Sequence, residues 1–488
     1  MRQTKPTLSN ILLICLSLYG LSACRKSGNL LPNQAPETST SVSEINLTGE
    51  NRLNSLVKLS WWGSDPDGYV VGYEFSFDQE TWVFTENQDS TFLFSIPKGS
   101  DTVDIDFWVR SVDDAGDSDK TPAYLRVPLK NTSPEIKFVS DLIPSDTLFN
   151  VLTLAWDATD LDGFSSIEAI EIKINEGDWT QFSTLVETEE TAIASLYPID
   201  LDADGLTTAR LMNKENVEVA EIPGLNVNGL NNLYIRAVDV AGSISSLDTL
   251  ANFYFKGRSS DLLVLGTSSS SPNDFYLSNL NTIGQGFDFI DLFREDRKNS
   301  PRIWNPTFEL LLRQYDKVLI YAKEDLIVNP QTNDENIFLE AASSGMEAYL
   351  SNGGKMFISS SLPNTFTAES ALFGILPIDS LSSSEGQARL PFDSLAVGLN
   401  GYPSLVSNAL IGGLDPVYPS TDAEIIYSAQ LTRANGWTGP SENAVGVRRR
   451  VGSNTNLVFL SVELHRVNKD EVAIESLFRK VFEEEFAW

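Results

Sequence analysis

The chain predicts a multidomain protein: two all-β sandwiches followed by an α/β domain built on a mostly parallel sheet. Three observations carry this expectation. A stretch of period-two apolar alternation occurs twice, in the same register, between residue 46 and about residue 257. From Ser260 onward, short apolar runs alternate with segments of helical periodicity. Ahead of both, a brief apolar run from Ile11 to Leu21 precedes Cys24.

The N-terminal run follows Arg2 and Lys5 and is far shorter than the ~20 residues needed to cross a bilayer, so it reads as a cleaved targeting segment. It closes on Leu21-Ser22-Ala23-Cys24, which resembles a bacterial lipobox. That resemblance implies removal of residues 1–23 as a signal peptide and lipidation of Cys24, which becomes the first residue of an outer-membrane lipoprotein of the cell envelope. The only other cysteine, Cys15, lies in the removed segment, so a mature monomer forms no disulfide. Arg25, Lys26 and Ser27 form no acidic cluster after the cysteine, which predicts a periplasm-facing position. Residues 24–45, with Pro32, Pro36 and a Thr/Ser tract, read as a flexible tether.

The formal charge of -32 becomes -34 once Arg2 and Lys5, the only charged residues of 1–23, are removed. Such a surface repels phosphate backbones and anionic headgroups, so nucleic acid is excluded as a partner and the membrane is reached only through the N-terminal lipid. The expected partner is an envelope protein or a glycan.

The repeat begins with Leu59-Ser60-Trp61 and Asp65-Pro66-Asp67-Gly68, continues through Tyr73, Phe75 and Phe77, and reaches Trp82. Its second copy reads Leu154-Ala155-Trp156, Asp160-Leu161-Asp162-Gly163, Ile170, Ile172, Ile174 and Trp179. The copies close alike, on Phe107 to Gly116 and Leu233 to Gly242. They resemble fibronectin type III or immunoglobulin-like modules of bacterial extracellular proteins, which implies a spacer or binding role. The expected modules are 46–130 and 131–257. The second runs 83 positions from Trp156 to Asp239 against 52 from Trp61 to Asp113, with the extra chain placed at 183–222. That insertion holds Asp200, Asp202, Asp204 and Gly205, the opening of a D-x-D-x-D-G calcium loop whose twelfth position is Leu211 instead of an acid. Calcium is the one cofactor the sequence suggests.

In residues 258–488 the expected strands are Leu262 to Leu265, Phe287 to Ile290, Val318 to Tyr321 and Met356 to Ile358. A helix is expected from Asn333 to Leu350, with Leu339, Ala342, Met346, Tyr349 and Leu350 on one face, ended by Gly353-Gly354. A strand pair, Ala444 to Val451 and Leu457 to Leu464, precedes a last helix whose Asn468 and Glu471 have capping-box spacing. Tyr315 to Tyr321, that helix and Gly353 to Ser359 resemble a divergent class I glutamine amidotransferase-like domain, which implies a flavodoxin-like α/β fold. The turn where catalytic relatives present a cysteine carries Ser359, Ser360 and Ser361, and His465 stands where their histidine does. With Val467 in place of the family's following acid and no cysteine, thiolate chemistry is excluded. The enzymatic alternative is a serine-dependent hydrolase using Ser359, Ser360 or Ser361 with His465 and Glu463, or a glycan-acting enzyme of the cell envelope. The preferred reading is a non-catalytic ligand- or partner-binding scaffold, and the third is a purely structural spacer.

Overall fold

The computed structural model describes residues 32–487 apart from 43–46, 49–51, 144–146, 184–190, 268–269, 293–306, 323–325, 329–334, 363–369, 382–386, 415, 435–436 and 438–441. Residues 1–31, which include the expected signal peptide and Cys24, lie outside the described residues. Two compact units divide at Asn131/Thr132.

In the first unit, Leu56–Ser64 pairs antiparallel with Glu37–Val42 and Asp89–Leu93. A six-stranded sheet faces it, in the order Leu47–Thr48, Arg52–Leu53, Ala123–Lys130, Thr102–Asp113, Val70–Ser76 and Val83–Thr85. Trp61 from the smaller sheet packs on Tyr73, Phe75 and Phe107 of the larger, with ring centroids 5.8–6.4 Å apart, so alternation buries one face of each sheet in a shared core. Glu37–Val42 corrects the expected tether, whose Thr/Ser tract supplies an edge strand. A polar strand is stable there because it needs only one neighbour, and Thr38 Oγ1 adds a 3.0 Å bond to Ser111 Oγ.

The second unit opens with the other sandwich. One sheet runs Glu135–Phe138, Leu152–Thr159, Ala192–Pro198, Gly205–Asn213 and Glu218–Val227. The other runs Thr147–Phe149, Asp248–Lys256, Gly229–Asp239, Ile167–Ile174 and Thr180–Ser183. The insertion is thus a hairpin, Gly205–Asn213 with Glu218–Val227, that extends the first of these sheets. It passes the expected limit at residue 222, because its apolar positions continue through Leu225 and Val227.

An eleven-stranded sheet organises the remainder. Asp288–Asp291, Leu262–Gly266, Lys317–Ala322, Lys355–Ser360 and Asn454–Leu460 are parallel neighbours, which is the chain order 2-1-3-4-5. Beyond them Glu442–Val451, Ala423–Gln430, Leu395–Gly398 and Leu405–Val406 continue the sheet antiparallel. The sheet is therefore mixed, a correction to the mostly parallel, flavodoxin-like expectation. These strands alternate or form hairpins without intervening helices, so their apolar periodicity carries no sign of direction. Alternate residues of the parallel strands enter two cores: Leu263, Ile320 and Ile358 on one face, Val264, Leu319 and Phe357 on the other.

The expected helix from Asn333 begins instead as Glu335–Ile337 strand, then Phe338–Ala341 and Ser343–Ser351 helix. Its apolar face holds: Leu339, Ala342, Met346, Tyr349 and Leu350 are buried, and Gly353 takes φ +87° to end it. The last helix, Glu471–Arg479, is capped by Asp470, whose carboxylate accepts from Val472 and Ala473 N–H, and not by Asn468.

A buried ion pair ties this helix's continuation to the sheet. Arg448 Nη1 donates to Glu485 Oε1 at 2.6 Å, and Glu485 also accepts from the Thr455 hydroxyl. Both charged side chains are about 5% exposed. Arg448 keeps its pair with the half-exposed Glu424 when Glu485 is removed, but one buried guanidinium N–H and the Thr455 hydroxyl lose their acceptor, so Glu485→Ala is expected to cost ~1–3 kcal/mol. Glu484→Ala, which breaks only the exposed pair with Lys480, is expected to cost under ~1 kcal/mol. Urea midpoints of the two variants measure the contrast.

Candidate functional site

In an open sheet of this order the default site is the crevice beyond the carboxyl ends of the parallel strands. Ser359 stands there, at the end of Lys355–Ser360, and is fully buried. Its hydroxyl donates to Val462 O at 3.0 Å, so the 2.8 Å bond with Tyr276 is donated by the phenol. The Leu464 N–H donates to both oxygens, at 3.1 Å to Ser359 Oγ and 3.2 Å to Tyr276 Oη.

Tyr276 lies on the helix Ser270–Thr282 and stacks flat on Tyr321, with centroids 4.0 Å apart and planes 6° from parallel. Tyr321 Oη donates to Asn273 Oδ1 at 2.8 Å, and Asn273 Nδ2 donates to Asp291 at 3.2 Å. Gly266, at the end of the neighbouring strand, makes room: a Cβ there would stand 2.6 Å from Tyr321 Oη. Burial pushes both phenols well above their ordinary range, so they stay neutral donors at any physiological pH. Among the described residues, Tyr276, Tyr321 and Ser359 fill the space at the ends of the central strands.

The sequence-derived residues sit around this plug without forming a catalytic set. Ser360 is buried and its hydroxyl donates to Ser361 O at 2.9 Å. Glu463 pairs with Arg466 at 3.5 Å. The last strand ends at Leu460, so Glu463 and His465 do not share a strand face; His465 instead occupies a short 3-10 turn, Leu464–Arg466. Its imidazole packs edge-on to Phe275, with centroids 6.5 Å apart. None of Ser359, Ser360 or Ser361 has the His465 side chain among its hydrogen-bond partners. Ser359 meets the amide of Leu464, so its contact with this turn is to backbone. Tyr276, Tyr321 and Asn273 were not anticipated, because a tyrosine in an apolar helix stripe looks like ordinary core.

The Asp200, Asp202 and Asp204 carboxylates turn to separate partners. Asp202 Oδ1 accepts from Arg258 at 2.7 and 3.0 Å, Asp204 accepts from Asn228 at 3.1 Å, and Asp200 accepts from the Asp202 N–H. Among the described residues no three His, Cys, Asp or Glu side chains are placed to hold a metal ion. No helix among them is long and apolar enough to cross a membrane.

No protein family matches the chain, and no curated relative does. Solved structures that resemble it include fibronectin(III)-like modules of Clostridium thermocellum CbhA, at 14% identity over 44% of this chain and 94% of that one, with a TM-score of 0.16. The PKD1 domain of Vibrio anguillarum Epp matches at 18% identity over 20% of this chain and 98% of that one, with a TM-score of 0.15. Carbohydrate-binding modules of the β-sandwich superfamily match at 14% identity over 45% and 100%, with a TM-score of 0.16. At these scores the likeness adds nothing to what the two sandwiches show by themselves.

Calcium held by the Asp200 loop would stabilise the folded chain by RT ln(1 + [L]/Kd), ~2.7 kcal/mol at a hundredfold excess over Kd. With Asp202 committed to Arg258, the melting temperature is expected to be the same in millimolar calcium and in chelator. A rise in calcium would show that the loop rearranges to bind it.

Proposed function

We propose that the protein is a non-catalytic scaffold of the bacterial cell envelope, anchored to the outer membrane by a lipid on Cys24 and facing the periplasm. One observation carries the non-catalytic part: Ser359, at the family's nucleophile turn, has its hydroxyl spent on Val462 O and shared with Tyr276 and the Leu464 N–H. A serine nucleophile needs a base to take its proton, and this proton is already donated to a buried carbonyl. The 2-1-3-4-5 order of the parallel strands supports descent of the distal part from a class I glutamine amidotransferase-like domain that has lost its reaction. With Ser359 tied into this buried node, we assign partner contacts to other surfaces, which favours the scaffold or spacer over a crevice-binding protein.

Membrane anchoring follows from the Leu21-Ser22-Ala23-Cys24 motif and the lack of any other mature cysteine. Cys24→Ala is expected to move the protein from the membrane pellet to the soluble fraction; a variant that still sediments after a high-salt wash places the anchor elsewhere. The purified chain is expected to release no ammonia from glutamine and to hydrolyse p-nitrophenyl acetate no faster than a Ser360→Ala/His465→Ala double variant. Turnover that disappears in the double variant would replace the scaffold with the serine hydrolase.

A further inference from the structure

The two sandwiches repeat each other down to side-chain geometry. In the first, Arg110 Nε donates to Glu74 at 2.7 Å and its guanidinium lies 4.1 Å over the Trp82 ring. In the second, Arg236 Nε donates to Glu171 at 2.5 Å and lies 4.1 Å over Trp179. Aligned on these residues and on Trp61 and Trp156, Phe77 of the first copy corresponds to Ile174 of the second. By strand register, Asp89–Leu93, which pairs with Leu56–Ser64, corresponds to Ala192–Pro198, which pairs with Leu152–Thr159.

The copies differ in what lies beyond that strand. In the second, Ala192–Pro198 pairs onward with Gly205–Asn213, and that strand with Glu218–Val227. Leu211, Ile222 and Leu225 of this hairpin are fully buried, and Ile174 beneath it is 0% exposed. In the first, Asp89–Leu93 is the last strand of its sheet, and no described strand pairs with its outer edge. Phe77, the counterpart of Ile174, is 41% exposed. It meets Phe92 and Phe94 edge-on at 5.4 and 5.5 Å, and these two rings are only half-buried. The first sandwich thus presents an unpaired strand edge beside an open phenylalanine ledge, at the place where the second covers its core with its own hairpin.

We propose that this edge is a strand-addition site for an extended segment of another envelope protein. The segment pairs antiparallel with Asp89–Leu93 and lays alternate apolar side chains on Phe77, Phe92 and Phe94, as Gly205–Asn213 does for the second sandwich. Main-chain hydrogen bonds supply affinity and the ledge supplies register. Asp78, Glu80 and Glu86 lie in the turns between Phe77 and the edge strand, and Asp89, which pairs with Lys58 at 3.7 Å, opens that strand, so the intervening positions of the segment are lysine or arginine. The same charge, within a chain of formal charge -32, opposes a second copy as occupant. The site gives the scaffold reading a class of partner and rests on residues that neither the anchoring argument nor the Ser359 argument uses.

The probe is a blocked peptide of about nine residues alternating lysine and valine, with a lysine–serine peptide as control, added to the full mature chain carrying Cys24→Ala. Amide hydrogen exchange at residues 89–93 is expected to slow at least about tenfold with the valine peptide and to be unchanged by the serine one. Leu93→Pro, which spoils the edge, and Phe77→Ala, which lowers the ledge, are each expected to weaken binding about tenfold or more. Phe77→Ala keeps the strand intact should Leu93→Pro perturb the fold. Absence of protection at 89–93, protection elsewhere alone, or equal binding of both peptides overturns the proposal. So does a peptide-free dimer dissolved by Leu93→Pro, which would assign the edge to a second copy. None of these outcomes bears on anchoring or turnover, so the scaffold reading is judged separately.

Discussion

The node formed by Ser359 Oγ, Tyr276 Oη and the Leu464 N–H fixes the distal domain, because every polar atom in it is buried and must find its partner inside the protein. It draws together a helix near residue 276, a central strand ending at Ser360 and the turn after the last parallel strand. An unpaired hydroxyl or amide at that depth costs ~1–3 kcal/mol. The three segments are therefore held to one arrangement, in which the crevice is occupied by the Tyr276–Tyr321 stack. The turn at Ser359 is here used to close a core.

A second polar set joins the distal sheet to the sandwich before it, within the same compact unit. Asn150 donates to Tyr315 Oη at 2.9 Å, and Tyr315 donates to buried Asp288 at 3.1 Å. Burial, reinforced by the Asp288 charge, pushes the Tyr315 phenol well above its ordinary range and keeps it a donor. Thr307 shares hydroxyl bonds with Thr153 and Ser195, and Val151, Tyr197 and Met212 enter a hydrophobic cluster of the distal sheet. A joint that combines buried hydrogen bonds with apolar packing resists hinge motion.

Much of this was legible in the sequence where periodicity is strong. The repeat in register, the four parallel strands from Leu262 to Ile358 and the buried face of Leu339, Met346 and Tyr349 all follow from alternation or helical spacing. The misses share a cause: they depend on partners distant in sequence. Glu37–Val42 is too polar to announce a strand until Leu56–Ser64 is beside it. Asp470 outcompetes Asn468 as a cap because the helix starts where packing of Ile474 and Leu477 places it. The antiparallel half of the sheet and the role of the inserted hairpin as a core cover are matters of topology, which apolar spacing does not encode. At the site, Ser359 meets the backbone of Leu464, the residue before His465. What decides their chemistry, Tyr276 filling the space between, comes from a helix with no motif.

The closed crevice is tested most directly by the amide of Leu464. Its N–H is shared between two buried oxygens, so its hydrogen is released only when the domain opens. Residue-resolved hydrogen exchange on the full mature chain is predicted to place Leu464 among the slowest amides, alongside those of the central strand Lys355–Ser360. Exchange at Leu464 that is orders of magnitude faster than in that strand would mean a crevice that opens on its own, and would contradict the account.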